Sequence, residues 1–345
     1  MFAARGPRAS EAKPVFRVRK VRLNFGDPSY RFFDRNLFNM SPTAINGASN
    51  GVANGPASIP APKPTTGNEM LAAASEARAK AVSTVPAEGF DWRITLEGKI
   101  IAITGANRGI GLGIAEVCLA NSAAKVYSLD LLEPTEDFLA LQKRFTGRLL
   151  YLQTDVTVEE SIQAAVDKIV NESGAIHGMI ANAGMTKHQP ALDFDRPQLE
   201  KLFNLNVFGA YFCCTIAAKK FIELGIKGSI VITSSKVSDG PNRAAPSAPY
   251  GGTKAAVRNM ARTLAMEWSK YGIRVNSISP GFVRTAMTYY VETAPDWDLK
   301  MQYYGGMPRL ALPQELGGAY VYLLSDCASY TTGIDIPVFG VVGAW

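Results

Sequence analysis

Seven short β-rich runs recur along the chain, separated by longer helical patterns. They are KIIAIT at 99–104, KVYSLD at 125–130, RLLYLQ at 148–153, IHGMIAN at 176–182, GSIVITS at 228–234, IRVNSIS at 273–279 and GIDIPV at 333–338. Between them lie stretches such as AAVDKIV and AAVRNMARTLAMEWSKYG, whose apolar residues follow a helical period. Strands joined through helices pair in parallel by right-handed crossovers, and such a sheet is covered by helices on both faces. The expected fold is therefore α/β, a single doubly wound Rossmann domain on a seven-stranded parallel sheet. Ligands of such sheets bind at the carboxyl ends of the strands.

The first strand runs directly into TGANRGIG, Thr104 to Gly111, and an amphipathic helix follows. Gly105, Gly109 and Gly111 permit the tight turn and close backbone approach that a pyrophosphate needs at a helix N-terminus. Asn107, Arg108 and Ile110 complete this candidate cofactor loop. Asp130 ends the second strand, where an adenosine ribose would lie; its carboxylate accepts ribose hydroxyls and repels a 2′-phosphate. Arg108 pulls the other way, since a guanidinium attracts that phosphate. The balance favours NAD, with NADP as the alternative.

The alternation does not extend to the N-terminal part of the 345-residue chain. Residues 1–35 carry nine Lys and Arg against three Asp and Glu, which accounts for the whole net charge of +6. The remainder has no basic excess to track phosphates, so nucleic-acid binding is not expected. Residues 41–89 are dominated by Ala, Ser, Pro, Gly and Asn and contain no aromatic residue, a composition unable to bury enough surface to offset its ordering entropy. Residues 1–90 are read as a disordered basic, low-complexity leader and 91–345 as the folded domain. The Arg-rich start resembles a mitochondrial presequence in composition, but VFRVRKVRLNF alternates with period two, and Met40 offers a second start. Cytoplasmic residence is expected, with a mitochondrial location as the alternative. No charge-free apolar run reaches about 18 residues, so a membrane span is not expected. Four cysteines, Cys118, Cys213, Cys214 and Cys327, lack metal or disulfide spacing and read as small buried side chains. His177 and His188 read as loop or surface residues, and no metal site is expected.

Tyr250 and Lys254 stand four apart in PSAPYGGTK, one turn apart on a helix. Together with TGANRGIG, ANAG at 181–184, NVFG at 206–209 and SPGFVRT at 279–285, they occur in the order and spacing of the short-chain dehydrogenase/reductase family, which the chain resembles over about residues 93–340. The segments ARTLAMEWSKYGIRVNSISPGFVRTAM, MPRLALPQEL and SDCASYTTGIDIPV resemble fungal polyol dehydrogenases of the D-arabinitol, mannitol and sorbose-reductase kind. The resemblance implies Tyr250 as acid/base and Lys254 as the charge that lowers its pKa and holds the nicotinamide ribose. It implies Ser235, with Ser234 beside it as the alternative, as the partner of the substrate oxygen. Asn206 is implied to link Lys254 through water to solvent. Asp155 and Val156 would meet the adenine edge, and Val283 and Thr285 the nicotinamide carboxamide. Asn182 would lie at the cofactor or brace the sheet centre. The chain departs from the family where Phe339-Gly340-Val341 replaces the common Asp-Gly-Gly.

The segment from Ala286 to Met307 holds four tyrosines and a tryptophan and reads either as a lid over the substrate or as a cover for apolar surface. Tyrosine hydroxyls with Asp296 or Asp298 would suit a polyol. The expectation is an NAD(P)-dependent alcohol dehydrogenase acting on a sugar alcohol and its ketose, such as D-arabinitol and D-ribulose, in a family usually tetrameric. A reductase of hydrophobic ketones and a dinucleotide-sensing scaffold are the competing readings.

Overall fold

A computed structural model of the protein describes residues 92–241, 246–303 and 306–341. The leader read over residues 1–90 lies outside the described residues. All seven expected strands form: β1 (Ile100–Thr104), β2 (Lys125–Asp130), β3 (Leu149–Gln153), β4 (Gly178–Ala181), β5 (Ser229–Thr233), β6 (Arg274–Pro280) and β7 (Asp335–Val338). They make one sheet in the order β3-β2-β1-β4-β5-β6-β7, and every pairing is parallel.

Alternation along the strands divides the core into two layers. Ile100, Ala102, Met179, Ala181, Ile230 and Ile232 point to one face. Ile101, Ile103, Ile180 and Val231 point to the other. The first face is covered by α3 (Glu159–Ser173), α5 (Ala210–Leu224) and α6 (Ala248–Trp268). The second is covered by α1 (Gly109–Ala120), α2 (Glu136–Arg144) and α9 (Gln314–Leu324). Helix ends follow local chemistry: the Thr135 hydroxyl accepts from Phe138 N–H at the start of α2, and Gly174 and Gly225 close α3 and α5 in the left-handed conformation.

Between α4 (Arg196–Phe203) and α5, residues Asn204–Gly209 form a π-helical turn, making one continuous run. This run, Arg196–Leu224, is long and apolar enough by composition to cross a bilayer, but Cys213, Cys214, Ile216, Ala217 and Phe221 are core side chains of the first layer. Cys118 is likewise buried, and Cys327 is half-buried. Two short helices, α7 (Tyr289–Glu292) and α8 (Trp297–Tyr303), belong to the segment read as a lid or as a cover for apolar surface.

His177 lies in the loop before β4, as expected. It is half-buried at the amino edge of the sheet, where its Nδ1 accepts from Ile100 N–H at 3.1 Å. Burial, and then the nearby Lys99 charge, lower its pKa.

Candidate active site

The sheet order reverses between β1 and β4, and the crevice of a doubly wound sheet opens there. Its floor is the glycine loop. Gly105 and Gly109 have φ of +66° and +59°, which side-chain-bearing residues rarely adopt. A Cβ on Gly111 would lie 2.3 Å from the Gly105 carbonyl oxygen, so only glycine allows α1 to start this close to the strand. Arg108 at the N-cap supplies no side-chain cap, and the first turn of α1 contains no acidic residue. The amides and the positive end of the helix dipole thus meet no carboxylate of their own turn, an arrangement that fits a dinucleotide pyrophosphate.

Other members of the expected cofactor set brace this floor. Asn107 is buried; its amide donates to the Leu132 carbonyl at 2.5 Å and accepts from Ser128 Oγ at 2.7 Å. Its backbone N–H donates to Asp130 Oδ2, and Leu132 N–H donates to Asp130 Oδ1. Asp130 therefore holds the loop while remaining at the carboxyl end of β2. Asn182 commits its amide nitrogen to the carbonyls of Thr104 and Gly105, and its oxygen accepts from Thr233 Oγ1. That stitches β1, β4 and β5 together at the crevice. Ile110 is half-buried against the second core layer. Asp155 accepts from the N–H and hydroxyl of Thr157, capping the turn after β3, and Val156 is buried beneath it.

The second half of the site is built from α6, the π-turn and the end of β5. Lys254 is buried, and its ammonium donates to the Thr233 carbonyl at 2.8 Å. Desolvation lowers its pKa to about 8. Its Nζ lies 5.8 Å from the centre of the Tyr250 ring. A Cβ on Gly184 would stand 3.2 Å from Asn206 Oδ1 and 3.4 Å from Lys254 Nζ, so this glycine lets both groups meet at one point. The π-turn directs Asn206 inward, where its amide donates to the Met185 carbonyl and Thr253 Oγ1 and accepts from Met185 N–H.

The two serines after β5 separate here. Ser234 is buried and donates to the Lys254 carbonyl at 2.9 Å, a brace for α6. Ser235 begins the turn Lys236–Ser238, and its hydroxyl accepts from Val237 N–H at 3.4 Å. Gly251 of α6 packs against that turn, the position of its Cβ lying at van der Waals distance, 3.4 Å, from the Val237 carbonyl oxygen. On the far side Val283 is buried and bridges Ala311, and Thr285 lies over Gly109, 3.5 Å from where a Cβ would stand.

The segment read as a lid or an apolar cover takes part in packing: its Val291 and Met301 form a buried cluster with Phe282 and Leu310, and its Trp297 packs against that cluster. Asp296 pairs with Lys300 at 2.8 Å, and Tyr289 and Tyr303 are exposed. The side chain of Tyr290 and all of Tyr304 lie outside the described residues. Two basic residues were not anticipated. Lys236 follows Ser235, holds its ammonium 4.4 Å from the centre of the Phe282 ring and has its pKa lowered to about 8 by burial. Arg258 lies one turn beyond Lys254 and reaches toward Asp239 and Asp335. Adjacency to Ser235 and the i, i+4 step from Lys254 were the available sequence signals for them.

Residues 105–340 match the family profile described as enoyl-(acyl carrier protein) reductase. The chain is 33% identical over 251 residues to the 2-dehydro-3-deoxy-D-gluconate 5-dehydrogenase of Escherichia coli, covering 71% of this chain and 96% of that enzyme. It is 32% identical over 251 residues to a sorbose reductase of Candida albicans, covering 71% and 87%. Among solved structures, the NADPH-dependent 3-quinuclidinone reductase of Rhodotorula rubra superposes with a TM-score of 0.67 at 29% identity, covering 75% of this chain and 97% of that one. The chain belongs to the short-chain dehydrogenase/reductase family, with sugar and polyol dehydrogenases among its relatives.

Proposed function

We propose that this short-chain dehydrogenase/reductase transfers hydride between NAD(H) and a secondary alcohol or its ketone, with a sugar alcohol and the corresponding ketose as the substrate pair. The observation that carries the chemistry is the buried Lys254 ammonium beside Tyr250, Asn206 and the Ser235 turn. When bound, the nicotinamide supplies or accepts the hydride. The α1 amides hold the pyrophosphate, Asp130 the adenosine ribose, and Asp155 and Val156 the adenine edge. Val283 and Thr285 serve the carboxamide, and Lys254 the nicotinamide ribose.

The protein's own part is proton transfer and orientation. Ser235 Oγ holds the substrate oxygen against Tyr250 Oη, which takes its proton in oxidation and returns it in reduction. A neutral phenol is a poor base near neutrality, and the Lys254 charge near the Tyr250 ring favours the phenolate that takes the proton. Asn206 keeps Lys254 in contact with solvent protons. The sorbose reductase among the relatives supports the sugar assignment, and the Asp130 carboxylate supports NAD(H).

A second reading, an NADP(H)-dependent reductase of a less polar ketone, is favoured by the exposed Arg108 beside the loop and by the NADPH named for the Rhodotorula enzyme. Turnover of D-arabinitol and other polyols against a panel of apolar ketones, each with both cofactors, separates the two. Tyr250→Phe is expected to lower kcat at least ~100-fold while NADH still binds, measured by quenching of protein fluorescence. Ordinary turnover by that variant would sink the assignment of Tyr250.

A further inference from the structure

Arg258 stands on α6 one turn beyond Lys254 and two beyond Tyr250. Its guanidinium spans two carboxylates from distant parts of the chain. Nη1 pairs with Asp239 and lies 3.5 Å from Ser238 Oγ, both in the turn that begins at Ser235. Nε faces Asp335 Oδ2 at 3.2 Å. This second contact is an ion pair without hydrogen-bond alignment, since neither atom has a directional partner. Asp335 is on β7 with its side chain only 4% exposed, and its other oxygen accepts from Ser277 and Ser279 on β6.

A carboxylate buried to this extent is fixed by its two serines, so it offers the guanidinium a rigid anchor on the sheet. From that anchor, the other end of the same side chain grips the turn that carries Ser235. The planar fork suits this task, because one cation addresses two carboxylates from opposite edges. The grip falls beside the place where α6 packs against the Val237 carbonyl. The Ser235 turn is thus held to the helix bearing Tyr250 and Lys254 by a contact that touches none of the three.

We propose that Arg258 is a positioning residue: by clamping Asp239 to α6 and β7, it fixes the Ser235 hydroxyl against Tyr250. The inference rests on the reading of Ser235, Tyr250 and Lys254 as the reacting set. It adds a requirement that the set alone does not contain. Misplacement of a reacting group by about 1 Å lowers rate by up to ~100-fold, so loss of the clamp slows hydride transfer and leaves cofactor binding in place.

The test compares Arg258→Lys, Arg258→Met and Asp239→Asn with wild type, following kcat, the NADH Kd and the primary isotope effect with 4-deuterated NADH. Arg258→Met is expected to lower kcat by ~10- to 100-fold with the NADH Kd within about twofold, and to raise the isotope effect as hydride transfer becomes slower than product release. Arg258→Lys keeps a cation beside Asp335 and recovers part of the rate. Asp239→Asn leaves the buried pair intact, so its folding is not at risk, and its loss is not additive with that of Arg258→Met. Wild-type kcat and isotope effect in both Arg258→Lys and Asp239→Asn would overturn the clamp, even if Arg258→Met proved unstable. Should Tyr250→Phe retain full activity, the reacting set falls and the clamp falls with it; a Tyr250-dependent wild type with unaffected clamp variants removes the clamp alone.

Discussion

Replacing Lys254 with methionine is expected to make the protein more stable near neutrality and less stable in strong base. Lys254 is 5% exposed, and burial takes its pKa from 10.5 to about 8. At about 1.4 kcal/mol per unit, holding the ammonium charged near pH 7 therefore costs about 3 kcal/mol. Methionine has similar length and carries no charge, so the variant escapes that penalty. It also removes the donor to the Thr233 carbonyl, a loss of about 1–3 kcal/mol. The remainder is a gain of about 1 kcal/mol, or roughly 2–4 °C in Tm for a domain of this size.

The pH dependence follows from the sign of the shift. The folded pKa lies below the unfolded one, so the unfolded chain binds more protons between them and wild-type stability rises with pH across about 8 to 10.5. Above that window the penalty is gone, and the variant retains only its missing hydrogen bond. Thermal unfolding of both proteins, followed by near-ultraviolet circular dichroism, should show the variant ahead near pH 7 and behind above about pH 10. A difference in Tm that does not change with pH would refute the reasoning, because it would mean that Lys254 carries no burial penalty.

Asp130→Ser is expected to move kcat/KM toward NADP(H) by about 1–3 kcal/mol, roughly 5- to 150-fold, measured with both cofactors. A wild type that already prefers NADPH would remove Asp130 from cofactor choice. The variant should also unfold more easily, since Asp130 accepts from the backbone of Asn107 and Leu132. For His177, burial and Lys99 lower the folded pKa below the unfolded 6.5, so the associated stability is present above about pH 6.5 and lost as pH falls. His177→Gln should flatten the decline in Tm between about pH 7 and pH 5; an unchanged slope would place the acid sensitivity elsewhere.

Features that repeat locally were legible before any coordinates. Seven β-rich runs with helices between them specify a parallel sheet because each crossover must cover a face, and the observed strand alternation divides the core accordingly. The glycine loop was legible because its requirement is steric and close in sequence: Gly111 must clear Gly105. Tyr250 and Lys254 were legible as neighbours one helical turn apart, whereas the role assigned to them came only from the resemblance that the surrounding motifs carry.

What remained open depended on partners distant in the chain. That the Ser234 hydroxyl donates to the Lys254 carbonyl while Ser235 Oγ accepts from Val237 N–H depends on where α6 packs against the end of β5. The roles of Asn107 and Asn182 as braces depend on β2 and β5 arriving beside the loop. The loop residue His177 is half-buried because the β1–β4 pairing brings the Ile100 N–H to its ring. Arg258 is an ordinary helix arginine until β7 places a buried carboxylate beneath it. Periodicity and turn sterics act over a few residues and can be read from sequence, whereas hydrogen bonds and ion pairs between strands depend on sheet order and register, which exist only once the chain has folded.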